Sequence, residues 1–452
     1  MKNKKKILWI IGLLAILLPG MGNAQNGFNM PYSQFGTGLS ELPYSLAMAA
    51  RMGGVVYTRS GNNFVNPFNP ASYAGIGMES FVFDMGANAQ LTRLQNNSDH
   101  ASDADGNLSH LAFAMPLTKW WKLAGGLIPY TTVDYESVTT GTYMDSGIVK
   151  NIYDGTGGSS LVFLGSAFNI IGDGTNDGRR LQLGFNVNYL TGHLQRAISY
   201  SFQGYDSTYY INKRTIRQTK LSNITFDLGL QYREPLGSRY TLGIGLVYKP
   251  YRDMNVVDEA YIYTWQPSTQ TPYYTLYDTI FPLSGDPAQF DSRLEQAHTF
   301  GVGLSIERNN RWQVAFDATF AAWNGMKYTE GLTTNIFGTN AYRTGSWSRY
   351  AAGFEKIGDM DASSYWGRIS WSAGLHLEQG IMHLMLGNSQ QQVNEWGFGM
   401  GAALPMRKGR SLLSLSLSYS SMGSKDLLQR NCFTIGIGVS TCERWFVKRK
   451  YN

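Results

Sequence analysis

Bulky apolar residues recur at every second position in many separate stretches of this chain, and a period of two sets one row of side chains on each face of a β-strand. Leu413, Leu415, Leu417 and Tyr419 alternate with Ser414, Ser416 and Ser418. Leu181, Leu183, Phe185, Val187 and Tyr189 alternate with Gln182, Gly184, Asn186 and Asn188, and Phe226, Leu228, Leu230 and Tyr232 with Asp227, Gly229 and Gln231. The rhythm returns at Leu242 to Tyr248, Phe300 to Ile306, Trp312 to Phe320, Ile369 to Leu377 and Phe433 to Val439. A soluble β-sandwich alternates too, but its second row meets water and carries Lys, Glu and Arg. Here that row is mostly Gly, Ser, Asn, Gln and Thr, which suits a crowded interior. A bulky apolar row turned to lipid and a small polar row turned inward predict an all-β, transmembrane antiparallel β-barrel of the Gram-negative outer membrane.

Turn formers place short connections at 118–121, 172–178, 234–238, 308–310, near 378–380 and at 407–409. Longer polar connections are expected near 95–107, 143–156, 204–219, 258–290, 330–361, 390–394 and 422–429. Short and long connections alternate, as they do when periplasmic turns are short and extracellular loops long. They predict about 14 strands, the first starting near Glu79 and the last ending near Phe446, with both termini periplasmic. Several strands exceed the 9–11 residues that a bilayer requires, so the barrel should stand above the membrane. Tyr and Trp near strand ends, among them Trp120, Trp121, Tyr248, Tyr251, Trp323 and Trp445, suit the headgroup level.

Residues 1–24 read as a signal peptide: Lys4, Lys5 and Lys6 precede an apolar run from Ile7 to Leu18, and Gly22, Asn23 and Ala24 supply a cleavage site. That run is shorter than the roughly 20 residues of a spanning helix. Cleavage would remove four lysines and no acid, so the formal charge of +6 falls by four, and nothing in the balance calls for nucleic acid. Charged residues make up 15% of the chain, against about 25% in ordinary soluble proteins. Residues 25–78 lack the strand rhythm. They contain Met52-Gly53-Gly54 and then Asn66-Pro67-Phe68-Asn69-Pro70-Ala71-Ser72-Tyr73, in which two Asn-Pro steps each start a turn because proline bars its predecessor from helix. So many small and apolar residues point to a compact, buried knot.

Enzyme motifs are missing: no nucleophile elbow, HExxH, phosphate loop or CxxC pair occurs, so no cofactor or metal is expected. His100, His110, His193, His298, His376 and His383 are dispersed, the last two reading as wall residues. Cys432 and Cys442 lie in one strand, about 33 Å apart along it, too far to pair. Asp99 to Gly106, with Asp103 and Asp105, and the stretch 173–178 offer hard oxygens but lack the acid count and spacing of a Ca²⁺ loop. Gly397, Gly399 and Gly401 on a strand mean a thin lumen face or a close backbone approach.

The order of signal peptide, Met-Gly-Gly stretch, Asn-Pro-Ala motif and predicted 14-strand barrel resembles the FadL/TodX family of outer-membrane hydrophobic-compound transporters. The matching residues are Met52, Gly53 and Gly54, then Asn69, Pro70 and Ala71; Ser72 and Tyr73 stand where that family has Gly and a Leu-like residue. The doubled Asn66-Pro67/Asn69-Pro70 and the basic tail Lys448 to Asn452 look more like a Bacteroidetes-type branch. The resemblance implies that 25–78 is a lumenal hatch, 79–447 the barrel and 448–452 a periplasmic tail. It also implies passive uptake of a hydrophobic or amphipathic small molecule across a membrane of lipid and lipopolysaccharide. Capture would fall to the hatch motif and to an aromatic loop bearing Tyr261, Tyr263, Trp265, Tyr273, Tyr274, Tyr277 and Phe281. The alternative is a non-enzymatic barrel subunit of a multi-protein outer-membrane assembly or secretion complex, partnered by its other subunits.

Overall fold

In the computed structural model the described residues are 30–34, 38–40, 43–78, 80–143, 147–172, 178–203, 211–267, 274–281, 288–322, 328–329, 342–386, 389–406 and 411–444. The predicted signal peptide, the tail 448–452, and Trp323, Trp445, Phe446 and Tyr273 lie outside them. One antiparallel sheet contains every described strand. Its wall runs β1 Ser80–Gln95, β2 His100–Pro116, β3 Trp121–Tyr143, β4 Gly147–Ile171, β5 Arg180–Gln203 and β6 Asn212–Leu236. β7 is in two pieces, Tyr240–Lys249 and Arg252–Pro267, and so is β8, Ala288–Gln296 and Thr299–Arg308. β9 Trp312–Ala322, β10 Ser346–Lys356, β11 Ser370–Leu386, β12 Ser389–Met406, β13 Ser411–Met422 and β14 Gln429–Arg444 complete it. β14 pairs with β1 from Ser80↔Arg444 to Gln95↔Gln429. The sheet therefore closes on itself, a barrel of 14 strands with no free edge to satisfy in lipid.

Burial follows the alternation in the sense that a lipid solvent requires. On β13, Leu415 and Leu417 are exposed while Ser414 and Ser416 are buried. On β5, Leu183, Phe185 and Val187 are exposed, and Gln182, Asn186 and Asn188 are buried. At one end of the barrel Trp120, Trp121 and Phe168 stack with centroids 5.9–6.3 Å apart, and Tyr240 lies 6.2 Å from Trp312.

The count of strands matches the alternation, but several boundaries differ. Residues 378–380, read as a turn, lie inside β11, where the pairing with β12 slips between Gln379 and His383. The stretch 390–394 lies inside β12. The polar span 330–361 holds β10, and the β10–β11 connection is 357–369 with a 3₁₀ turn at Trp366–Arg368. Much of what reads as loop at 95–107, 143–156, 204–219 and 258–290 is ladder: β3 to β6 have 23–25 residues, against 11 in β9 and β10. Past the lipid belt the outer row no longer has to be apolar, so the alternation fades while β-branched residues such as Val133, Val138, Ile148 and Val149 keep the chain extended. Within the stretch from Tyr261 to Phe281, the strand Tyr274–Phe281 pairs antiparallel with upper β7. Asp103 and Asp105 are strand residues of β2, and among the described residues no His/Cys/Asp/Glu group could hold a metal ion.

Candidate functional site

The segment preceding β1 supplies much of the buried apolar core: Leu46, Ala49, Met52, Val55, Val56, Val65, Ala71 and Tyr73 are all at most 1% exposed. After a 3₁₀ turn at Pro31–Gln34 it forms a helical turn, α1 Ala47–Ala50. Gly53 and Gly54 end that turn with φ of +66° and +87°, a left-handed exit that glycine makes without strain. The Gly54 N–H donates to Ala49 O at 2.9 Å. A Cβ on Gly53 would lie 2.4 Å from Leu375 N, and one on the facing Gly374 would lie 2.3 Å from Met52 C. The Met-Gly-Gly stretch is thus pressed backbone to backbone against β11.

Both Asn-Pro steps are structural joints. Asn66 Nδ2 donates to Val56 O and Arg59 O at 2.7 and 2.9 Å, and its Oδ1 accepts from Phe68 N. Asn69 caps the 3₁₀ turn Pro70–Gly75 by accepting from Ala71 N at 3.1 Å, the bond expected of an Asn N-cap. Its Nδ2 donates to Tyr57 O and, across to β6, to Leu230 O. Ser72 donates to Asn66 O. Tyr73 donates to Asn186 on β5, whose own amide donates to Pro67 O, and burial pushes the Tyr73 phenol up.

Five charged side chains tie this segment to the wall. Glu355 on β10 accepts from Arg51 at 2.6 Å and from Arg59 at 2.7 Å, with all three buried. Arg51 also donates to Ser372 on β11. Burial pulls the Arg51 pKa down, and the Glu355 charge beside it pushes back up. Asp317 on β9 accepts from the Val56 and Tyr57 N–H groups at 2.6 and 2.9 Å. Arg349 on β10 donates to Gly54 O and lies over the rings of Tyr44 and Tyr57. Removing such a charge from water costs several kcal/mol, which a well-made pair offsets. Arg51, Arg59, Asp317, Arg349 and Glu355 carry no local motif; their one signal is charge in a chain that otherwise has little of it.

Other bonds extend the contact around the wall: Val65 N to Asp84 and Asn88 to Ser45 O on β1, Met30 N to Asp134 O on β3, and Asn169 on β4 to Ala74 O. Wall glycines give way to the segment: a Cβ at Gly184, Gly229, Gly245 or Gly399 would fall 2.0–2.4 Å from one of its atoms. Next to the stretch of β3 that pairs with Met30 and Leu39, Val133, Tyr135, Leu194, Leu221 and Val256 form an apolar cluster joined by Tyr153 and Leu294, drawing on strands β3 to β8. Between the segment and β11–β14 lies a cavity of about 40 Å³ lined by Tyr44, His376, Glu378, Glu395 and Arg430.

Of the aromatic residues proposed for capture, those described lie in upper β7 and in the strand that faces it. Tyr261 and Tyr263 stack on each other at 6.2 Å in upper β7, with Trp265 beyond them; Tyr274, Tyr277 and Phe281 belong to the facing strand.

One interruption in the wall has no counterpart in the sequence reading. Pairing of β6 with β7 stops at Leu228↔Tyr248 and resumes at Leu221↔Val256, because Pro250 has no N–H to give. The Asn223 side chain bridges the break, donating to Asn255 O at 2.8 Å and accepting from Asn255 N at 3.1 Å. Lys249 lies 3.9 Å from Asp227 beside it.

A closed barrel with an apolar exterior and a polar interior defines an outer-membrane protein, and its solved neighbours are FadL/TodX-type channels. The Pseudomonas putida toluene transporter TodX is 13% identical over 90% of this chain and 100% of that chain, with a TM-score of 0.54. The Ralstonia pickettii toluene transporter TbuX (12%; 90% and 98%; 0.50) and a Pseudomonas aeruginosa FadL homologue (12%; 92% and 100%; 0.50) also match. At such identities the likeness is one of fold alone. The family model described as BamG matches residues 4–452, and the chain belongs to the BamG family. No curated relative matches it.

Proposed function

We propose that this chain is a non-enzymatic barrel subunit of a multi-protein outer-membrane assembly, with residues 25–78 acting as a fixed plug and both termini in the periplasm. The observation that carries this reading is the double ion pair of Arg51 and Arg59 on Glu355, at the centre of a segment bonded around the inner wall. The apolar cluster of Val133 and Leu194 fills further space beside it, where Leu39 pairs with Thr132. The cavity beside the segment, about 40 Å³, has room for water but is far below the roughly 150 Å³ that accommodates benzene. A barrel whose lumen is occupied in this way has its surface left to offer, and β3 to β6 raise part of that surface above the lipid. The doubled Asn-Pro motif fits the same picture of a Bacteroidetes-type branch with a reinforced plug.

The β6–β7 interruption favours a second reading, passive uptake of a hydrophobic or amphipathic small molecule that leaves the lumen sideways past Asn223. The toluene transporters that share the fold lend it weight. One preparation separates the two: extraction of the full-length protein from its native membrane in mild detergent, followed by toluene entry into vesicles bearing the purified barrel. Co-migration with other proteins and entry no faster than in empty vesicles is the result expected. A lone monomer that speeds toluene entry would overturn the subunit reading in favour of uptake.

A further inference from the structure

The connection between β10 and β11 stands apart from its neighbours at the same end of the barrel. The β2–β3, β6–β7 and β8–β9 connections span 117–120, 237–239 and 309–311, whereas this one runs from 357 to 369. It is held in shape by its own bonds. Asp359 N donates to Gly367 O at 2.9 Å and Gly358 N to Ser370 Oγ at 2.9 Å. The backbone approaches so closely there that a Cβ on Gly358 would lie 2.1 Å from Arg368 O. On this frame Trp366 is 71% exposed, the highest value among the described large hydrophobics, with Tyr365 at 43% and Met360 at 48%. A loop that met only water would gain nothing from such side chains.

Their height on the barrel identifies what covers them. Trp371, two residues into β11, pairs with Lys356 on β10, and Lys356 pairs with Trp312 on β9. Trp312 in turn pairs with Arg308, which pairs with Tyr240. Tyr240, Trp312 and Trp371 are thus outer-row residues within the first two positions of their strands, all at the same end of the wall, where the exposed apolar belt stops. The 3₁₀ turn Trp366–Arg368 lies immediately beyond that end. Arg368 is held over the Tyr365 ring at 5.5 Å, so a guanidinium accompanies the two rings, and the Tyr365 hydroxyl donates to Pro405 O on β12. Rings with one apolar and one polar side, next to an arginine, match the layer where acyl chains give way to phosphates.

We propose that the 357–369 connection is a membrane-interface anchor, its Tyr365 and Trp366 seated in the phospholipid headgroup layer and Arg368 presented to a lipid phosphate. It would fix the height and rotation of the barrel in the bilayer at one point of its circumference. Full-length protein in phosphatidylethanolamine/phosphatidylglycerol vesicles gives the test, the Trp366 signal being the wild-type emission minus that of Trp366→Phe. With bromine high on the acyl chains that signal is expected to fall about twofold, and clearly less with bromine at the chain ends, as befits an interfacial ring. Strong quenching by aqueous iodide without a bromolipid effect would overturn the proposal and assign the turn to a water-borne partner. Should Trp366→Phe alter folding, a nitroxide on Trp366→Cys reports the same depth: oxygen accessibility above that of a water-soluble nickel complex supports the anchor, the reverse refutes it.

Discussion

The two faces of β9 place the outer belt and the inner wall side by side. Outside, Val314, Phe316 and Phe320 are 43–48% exposed; inside, Asp317 and Thr319 are 1–2% exposed, and Asp317 holds two backbone N–H groups of the N-terminal segment. The outer row meets a fluid that asks only for apolar character, so one bulky side chain serves about as well as another. The inner row meets a fixed partner and has to match it atom by atom. The usual sense of burial is reversed here, with exposure marking the apolar side of the wall and burial the polar side. The specificity of this fold therefore resides in the lumen, and its retention in the membrane resides in the belt.

The largest effect is expected where the inner match is ionic. Glu355→Leu leaves Arg51 and Arg59 buried without their carboxylate, a loss on the order of 3–5 kcal/mol, read as a fall in the urea midpoint of the folded barrel in micelles. Glu355→Asp, which keeps the charge on a shorter stem, should recover part of it. Equal midpoints for Glu355→Leu and wild type would show that the segment rests on the wall without being bound to it. Next comes the belt: Leu304, which pairs with Phe316 and Ile244 on the outer face, is expected to cost about 2–4 kcal/mol as Leu304→Arg, whereas Leu304→Phe should be close to neutral. If both substitutions were equally mild, the outer row would not be facing hydrocarbon.

The same contrast explains what could be read from the chain in advance. Fourteen strands were legible because lipid imposes a local rule, a bulky residue at every second position, that needs no knowledge of the partner. β10 and the far end of β11 are hidden because that rule is weakest there. Ala351, Ala352 and Gly353 give β10 little bulk, and Gln379-Gly380, which looks like a turn, is a slip in register within β11. Above the belt the rule lapses altogether, so the upper halves of β3 to β6 resemble loops. The Asn-Pro motif could be located, and its turns anticipated, from proline geometry. The wall partners of the segment as a whole could not: Arg51 and Glu355 are 304 positions apart, and nothing local to either residue announces the other. The β6–β7 interruption had a visible cause in Pro250, yet placing it required knowing that β6 runs unbroken past that proline.

The smallest effect is the most selective test of the inner match, because one side chain makes both a local and a long-range contact. Asn69 Oδ1 caps the Pro70–Gly75 turn, and its Nδ2 reaches Tyr57 O and Leu230 O. Asn69→Asp keeps the acceptor for the cap but loses both donations; Asn69→Ala loses everything. If capping is the main contribution, Asn69→Ala should cost about 0.5–2 kcal/mol, the range for such caps, and Asn69→Asp much less. If the bond across to β6 matters more, Asn69→Asp should be at least as damaging, since it leaves a carboxylate facing two carbonyl oxygens in a buried site. Urea midpoints decide between these, and limited proteolysis shows whether the segment has left the wall. Should Asn69→Asp be the worse of the two while the barrel itself stays folded, the motif acts as a rivet between segment and wall rather than as a local turn.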